Sequence, residues 1–494
     1  MVCGTASDVG KSRLVAGLCR VFARRGLGVA PFKAQNMALN SFATASGHEI
    51  ARSQAHQAAA ARTEPTVEMN PILLKPTGEL RSQLVVMGRP AGDVLAGEYQ
   101  SRTEALIPIV HAALERLRNR FDVVVAEGAG GAAEINLLDR DLVNLPLAHR
   151  ARMPAILVGD IERGGVFASL YGTVALLPGE LRAQLRGFVV NKLRGDPRLL
   201  GAGLGELERR CGLPCLGVLP HLGHLAVDAE DSLALAQRAL AVTREHGGES
   251  LDVAVLALPH LANFTDFDPL LLEPAVALRY VASATTLGTP DLVVLPGSKA
   301  TVADLSWLRT YGLDRAILDA HDRGSAVLGI CAGYQMLGRR IVDGVESPAG
   351  EVDGLALLDS TTVFSLTKCT RQRRGTDDRG NPVAGYEIHH GKITHGGGGD
   401  GWLQLDRDGG IEAEGARDEV RGIFGTSLHG LFEADAFRRS FLAGVALRRG
   451  RQFVAATAEF EGWRQAEIDR VADALEEHLD LAALTAIAAE GDGR

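Results

Sequence analysis

The run GTASDVGKS (residues 4–12) decides the fold of the first half of the chain. Its glycines let successive backbone N–H groups converge on phosphate oxygens, and the helical pattern that follows (residues 12–25) offers its positive end to the same anion. Lys11 can reach the outer phosphates, and the Ser12 hydroxyl can ligand a divalent cation. Gly4, Thr5, Asp8, Gly10, Lys11 and Ser12 are therefore the candidate ATP-binding residues. Five residues separate the two glycines, one more than in the common phosphate loop. Only three residues precede Gly4, which makes the strand feeding the loop short.

Working outward, apolar runs at 28–32, 123–126, 155–158 and 187–190 alternate with helical patterns such as 102–118. Strand–helix alternation predicts a parallel, doubly wound α/β sheet. A metal-binding acid belongs at the end of a neighbouring strand. Glu127, directly after VVVA, fits a Mg²⁺ ligand, direct or through water, with a helix-capping carboxylate as its alternative. Asp8 and Asp160 are further metal candidates. Asn191, after the strand at 187–190, is a candidate contact to the nucleotide, or else a plain strand-end turn.

A charged stretch ending in Gly247-Gly248 separates this half from a second alternating unit, with strands expected at 253–258, 292–297 and 326–331. The expected domains are an ATP-dependent unit at 1–235, a linker at 236–250, a second α/β domain at 251–445 and a helical extension at 446–494. In the extension, Ile468, Val471, Leu475 and Leu479 recur at helical spacing and predict an amphipathic helix against the body. The glycine- and charge-rich stretch 371–381 is expected to be a surface loop.

GICAG (residues 329–333) closes the third apolar run and opens a helical pattern, a strand–turn–helix elbow presenting sulfur. The helix terminus favours the thiolate of Cys331. A thiolate of this kind needs a base, and GTSLHG (residues 425–430) supplies His429 after another apolar run. Backbone N–H groups of Gly297, in LPGSK, and Ala332 are the candidate oxyanion donors. The chemistry predicted is release of ammonia from glutamine at Cys331 and His429.

Composition narrows the alternatives. The 494-residue chain carries 52 basic and 61 acidic side chains, a net charge of −9 that excludes a globally basic nucleic-acid binder. No apolar run reaches the roughly 20 residues of a membrane span, and no export signal precedes the phosphate loop. A cytoplasmic protein without nucleic-acid or membrane partners is expected. Cys211 and Cys215 lack the companions of a zinc site.

Longer stretches carry a specific resemblance: PFKAQNMALNS (31–41), MNPILLKPTG (69–78), EGAGGAAEINLLDRD (127–141), DIERGGVFASLYGT (160–173), NKLRGD (191–196), NFTDFDPL (263–270), GICAGYQMLG (329–338), GYEIHHG (385–391) and GTSLHGLFE (425–433). With the long phosphate loop, they make the chain resemble the cobyric acid synthase family, glutamine amidotransferases of cobalamin biosynthesis. The resemblance implies a dethiobiotin synthetase-like P-loop domain followed by a class I glutamine amidotransferase-like α/β domain. It implies ATP, Mg²⁺ and glutamine, with amidation of the b, d, e and g carboxylates of adenosylcobyrinic acid a,c-diamide through acyl phosphates. Lys33, Lys75 and Arg163 become candidates for steering the acidic corrinoid or phosphate, or else are solvated surface cations. The residue two after His429 is Leu431, where many class I glutaminases carry Glu, so a Cys–His dyad is expected. Glu387, His389 and His390 are assigned supporting or substrate contacts only. The related a,c-diamide synthase is the nearest alternative, and a ParA-like nucleotide switch the alternative from another class.

Overall fold

The computed structural model describes residues 1–78, 80–223, 250–396, 401–407 and 409–491. Four strands of the first unit, Val2–Gly4, Ala155–Asp160, Leu185–Leu193 and Cys215–Pro220, lie side by side in that order and run parallel. A parallel pair, Val29–Phe32 with Val123–Ala126, extends this array through the bridge between Val2 and Glu127. The strands read as continuous apolar runs because both faces are covered. Val125, Val158 and Val189 pack with Leu14 and Val15 of the Lys11–Arg24 helix on one side. Their neighbours Ala126, Leu157 and Val190 pack with Leu114 and Leu117 of the Ala96–Arg118 helix on the other.

The tail forms the expected helix, Phe460–His478, and its partner is the first unit. Ile468 and Leu475 join the cluster of Leu14 and Val15, while Arg24 pairs with Asp469 at 2.9 Å and Asp473 at 2.6 Å. The chain thus leaves the first sheet and returns to it after building the second. Residues 236–249 of the expected linker lie outside the described residues.

The second unit is a sheet ordered Val276–Val281, Leu251–Leu256, Leu292–Leu295, Ala326–Ile330, Ile423–Thr426 and Ala416–Asp418, parallel except for the last strand. Two features depart from the sequence reading. In the first unit, Ile72–Pro76, Arg81–Val86 and Arg89–Leu95 form an antiparallel sheet that periodicity did not reveal. In the second, residues 371–377 are not loop: Ser360–Asp377 pairs with Pro382–His395, leaving only the turn between them. The charges of this stretch have partners on neighbouring strands. Arg371 meets Glu387, and Arg373 reaches Glu412 at 2.8 Å. Among the described residues no helix is long and apolar enough to cross a membrane.

Candidate active site

The phosphate loop is built by close approach. Gly10 caps the Lys11–Arg24 helix in the left-handed region at φ 97°, where a β-carbon would also strike the Asn191 amide. Asn191 Nδ2 donates to the Val9 carbonyl at 2.8 Å, so this side chain holds the loop itself. Thr5 N–H donates to Val158 O at 3.0 Å, anchoring the loop to the central strand. Lys11 Nζ, 7% exposed, donates to the carbonyls of Ala6 and Gly130, each at 2.9 Å. Gly4 lies under its stem: a β-carbon there would come within 2.9 Å of Nζ.

Ser12 Oγ and the Glu127 carboxylate are 2.8 Å apart, and Lys33 Nζ lies 2.9 Å from the same carboxylate oxygen. Gln57 donates to the other oxygen. Ser12 and Glu127 form a hard oxygen pair beside the phosphate cradle, the donor chemistry Mg²⁺ takes when phosphates and water complete its shell. Lys33, a corrinoid or phosphate candidate, stands at this phosphate end. Asp8 is elsewhere: its exposed carboxylate pairs with Arg163 at 3.1 Å, so these two candidates neutralise each other at the loop's outer edge. Asp160 is taken by Lys192 at 3.0 Å.

In the second unit Cys331 sits at the end of the strand Ala326–Ile330 with φ 51° and ψ −107°, a strained elbow that turns into the helix Ala332–Leu337. The two flanking glycines are required by packing, since a β-carbon on Gly333 would collide with the Leu295 carbonyl and one on Gly329 with the Tyr334 backbone. Cys331 N–H donates to Thr426 O at 2.7 Å, locking the elbow to the strand that leads to His429. His429 and Cys331 line the same cavity. Burial alone would push the thiol up, yet His429 beside it holds Cys331 below the ordinary thiol range. Burial opposes the imidazolium too, but Asp266 and Cys331 together push His429 up to about 10. Each charged form thus favours the other, thiolate beside imidazolium.

Asp266 replaces the expected dyad with a three-residue arrangement. Its Oδ2 lies 2.7 Å from His429 Nδ1, and Oδ1 accepts the Gly430 N–H at 2.9 Å. The acid comes from NFTDFDPL, 163 residues before the histidine, where no local spacing signals it. Glu433, the nearer acid, instead pairs with Arg52 and Arg464. Tyr386 completes the clamp by stacking on the imidazole, with ring centroids 5.5 Å apart, and by exchanging two backbone hydrogen bonds with His429. Gly385 allows that approach, since a β-carbon there would strike the His429 carbonyl.

Gly297 abuts the imidazole, and Ala332 opens the helix whose first N–H groups have no partner within it. Both line, with Cys331 and His429, a cavity of about 40 Å³. His389 and His390 line it as well. Cys369, Glu387 and His389 bring three ligand atoms within 4.8 Å of one another, but Arg371 and Arg373 both reach Glu387, so guanidinium groups occupy the place of a cation. Lys75 is a further lining residue: it belongs to the first unit, and the structure sets it against the cavity of Cys331 instead of beside the phosphate loop.

The two units touch around these sites. Ser41 N–H donates to Asn263 Oδ1 at 2.7 Å, and Phe264 N–H to Asn40 Oδ1 at 3.2 Å, two residues before Asp266. Phe42 packs on Tyr386 with centroids 5.2 Å apart.

Residues 1–233 match the family model described as the CobQ/CobB/MinD/ParA nucleotide binding domain, and residues 252–437 match the CobB/CobQ-like glutamine amidotransferase domain. Among curated proteins, the cobyric acid synthase of Frankia casuarinae is 49% identical over 512 residues, covering 99% of this chain and 96% of that protein. Cobyric acid synthase of Nocardia farcinica is 49% identical over 505 residues, with the same coverage. That of Klebsiella pneumoniae is 46% identical over 497 residues, covering 99% of this chain and 97% of its own.

Proposed function

The chain belongs to the cobyric acid synthase family, and from that premise we propose how its residues divide a glutamine- and ATP-dependent amidation of a corrinoid acid. The observation that carries this reading is the coexistence in one chain of a Cys331–His429–Asp266 arrangement and a Lys11–Ser12–Glu127 cradle.

In the second unit, the Cys331 thiolate attacks the side-chain amide carbon of glutamine. Backbone N–H groups of Gly297 and Ala332 receive the developing oxyanion. The His429 imidazolium gives its proton to the departing nitrogen as the C–N bond breaks, releasing ammonia and leaving a thioester. Neutral His429 then takes a proton from water, which attacks the thioester; the C–S bond breaks, glutamate leaves, and the ion pair is restored. Asp266 holds Nδ1 throughout, so that Nε2 faces the sulfur.

In the first unit, ATP lies along residues 4–12 with its outer phosphates at Lys11. A corrinoid carboxylate oxygen attacks the γ-phosphorus, and the bond to the β-phosphate oxygen breaks to release ADP. Ammonia attacks the resulting acyl carbon, phosphate leaves, and nitrogen sheds a proton. Amidation thereby exchanges an unreactive carboxylate for a carbon with a good leaving group. Ser12 and Glu127 would hold Mg²⁺, which supplies charge neutralisation for phosphoryl transfer. Lys33 adds a cation at the same end. The substrate read here is adenosylcobyrinic acid a,c-diamide, amidated at its b, d, e and g carboxylates.

The test is product mass. Purified protein with ATP, Mg²⁺, glutamine and the a,c-diamide should yield successive amides up to four. Amidation of cobyrinic acid itself, with the a,c-diamide left unchanged, would refute this substrate.

A further inference from the structure

Every described residue lining the Cys331 cavity comes from the second unit except Lys75. Its ammonium is bonded to Glu49 Oε1 at 2.6 Å, and Lys368 of the second unit holds Glu49 Oε2 at 2.5 Å. Glu49 is almost fully buried, and Lys75 and Lys368 are each about nine-tenths buried or more. One carboxylate thus joins two lysines across the domain boundary, and both lysines line the cavity. The cavity's other charged pair, Lys299 with Glu346, is balanced. The lysine and glutamate groups therefore leave a surplus positive charge at the wall supplied by the first unit.

Lys75 also marks a direction. It ends the Ile72–Pro76 strand, whose residues 72–74 pair with Gln35–Met37, and Lys33 lies two residues before that pairing begins. Asn70 ties the same two segments together by donating to the Lys33 carbonyl at 3.2 Å. One end of this paired ribbon meets the Cys331 cavity, and the other meets Glu127. The five residue-to-residue steps from Lys33 to Ala38 span at most about 18 Å.

Resting on the division of labour above, we propose that Lys75 with Glu49 and Lys368 forms the gate through which ammonia leaves the glutaminase cavity for the first unit, admitting the neutral molecule and repelling ammonium. Ammonia is water-sized and fits a 40 Å³ space. Ammonium entering there would be desolvated beside like charge, which disfavours its charged form. The same physics acts on the gate: burial lowers Lys75 to about 8, against the pull of Glu49.

Lys75→Met in the full chain tests this, because it leaves Glu49 and Lys368 as a neutral pair. Glutamate released and amide formed are counted with glutamine, and amide formed is counted with ammonium chloride alone. The expected result is glutamine hydrolysis and ammonia-dependent synthesis near native rates, with the glutamate-to-amide ratio raised about threefold or more and restored by Lys75→Arg. A ratio unchanged in Lys75→Met overturns the gate. Loss of ammonia-dependent synthesis in a folded Lys75→Met protein also overturns it, returning Lys75 to corrinoid binding. Should that variant not fold, Lys368→Met, which leaves the Glu49–Lys75 pair, is judged by the same ratio. Failure of native protein to form amide from either glutamine or ammonium chloride would instead refute the amidation reading, a separate outcome.

Discussion

The two candidate sites are built in opposite ways. Most of the phosphate cradle is one continuous segment, residues 4–12, completed by Glu127 and Asn191 from neighbouring strands of the same sheet. The Cys331 site draws Gly297, Cys331 and His429, with Asp266 and Tyr386 behind the histidine, from five separate segments and borrows Lys75 from the other unit. A phosphate cradle needs mainly backbone N–H groups, which a single loop can supply. Proton transfer needs side chains in mutual contact at angles no single loop provides.

Substitutions at the reacting groups should separate the sites most sharply. Cys331→Ser should lower glutamine-dependent synthesis by about 1,000-fold or more while sparing synthesis from supplied ammonia. Lys11→Ala should lower both by about 100-fold or more. Equal loss of both activities in Cys331→Ser, with the fold intact by circular dichroism, would mean that the sites do not work separately.

Next in size is Asp266→Asn. Without the carboxylate the support for the His429 proton falls, and with it the hold of His429 on the Cys331 thiolate. Glutamine hydrolysis should drop about 100-fold. The active ion pair needs Cys331 deprotonated and His429 protonated, so its acidic limb should move up in pH and its basic limb, near 10 in the native protein, should move down. Alkylation of Cys331 by iodoacetamide across pH would trace the acidic limb and the pH profile of glutamine hydrolysis the basic one; unchanged profiles would reduce Asp266 to a packing role.

A smaller effect is expected at Glu127. Glu127→Gln should reduce ammonia-dependent synthesis by about 10- to 100-fold and raise the Mg²⁺ concentration needed for half-maximal rate. Glutamine hydrolysis measured alone should change least. A normal Mg²⁺ requirement would leave Glu127 as an anchor for Lys33 and Gln57 only.

The smallest effect on chemistry belongs to the tail. Leu475→Ala removes a side chain 1% exposed at the contact with the Lys11–Arg24 helix. Unfolding by urea should show a loss of about 2–5 kcal/mol, with the glutamate-to-amide ratio unmoved.

Local physics made much of this legible in the sequence. Gly10 and Lys11 announce a phosphate loop because the chemistry lies in neighbouring backbone groups. Cys331 between Gly329 and Gly333 announces an elbow because only small residues permit it. The strands at 123–126 and 155–158 were readable because burial on two faces makes them uniformly apolar. The charged strand at 371–377 reads as loop because its charges meet Glu387 across the hairpin and Glu412 on another strand of the sheet, and no periodicity reports a partner's identity. The pairing of Asp8 with Arg163 was invisible in one dimension.

The sequence by itself determined that a nucleotide loop and a thiol elbow occur in one chain, since each is written in a few contiguous residues whose conformation depends on glycine and helix termini. Only the tertiary structure decided that Asp266 orients His429, that Lys75 lines the thiol cavity, and that the Phe460–His478 helix returns to the first sheet. Those are contacts between residues far apart in the chain. They form when buried charges and apolar faces find the one packing that satisfies them together, and spacing along the sequence carries no record of that choice.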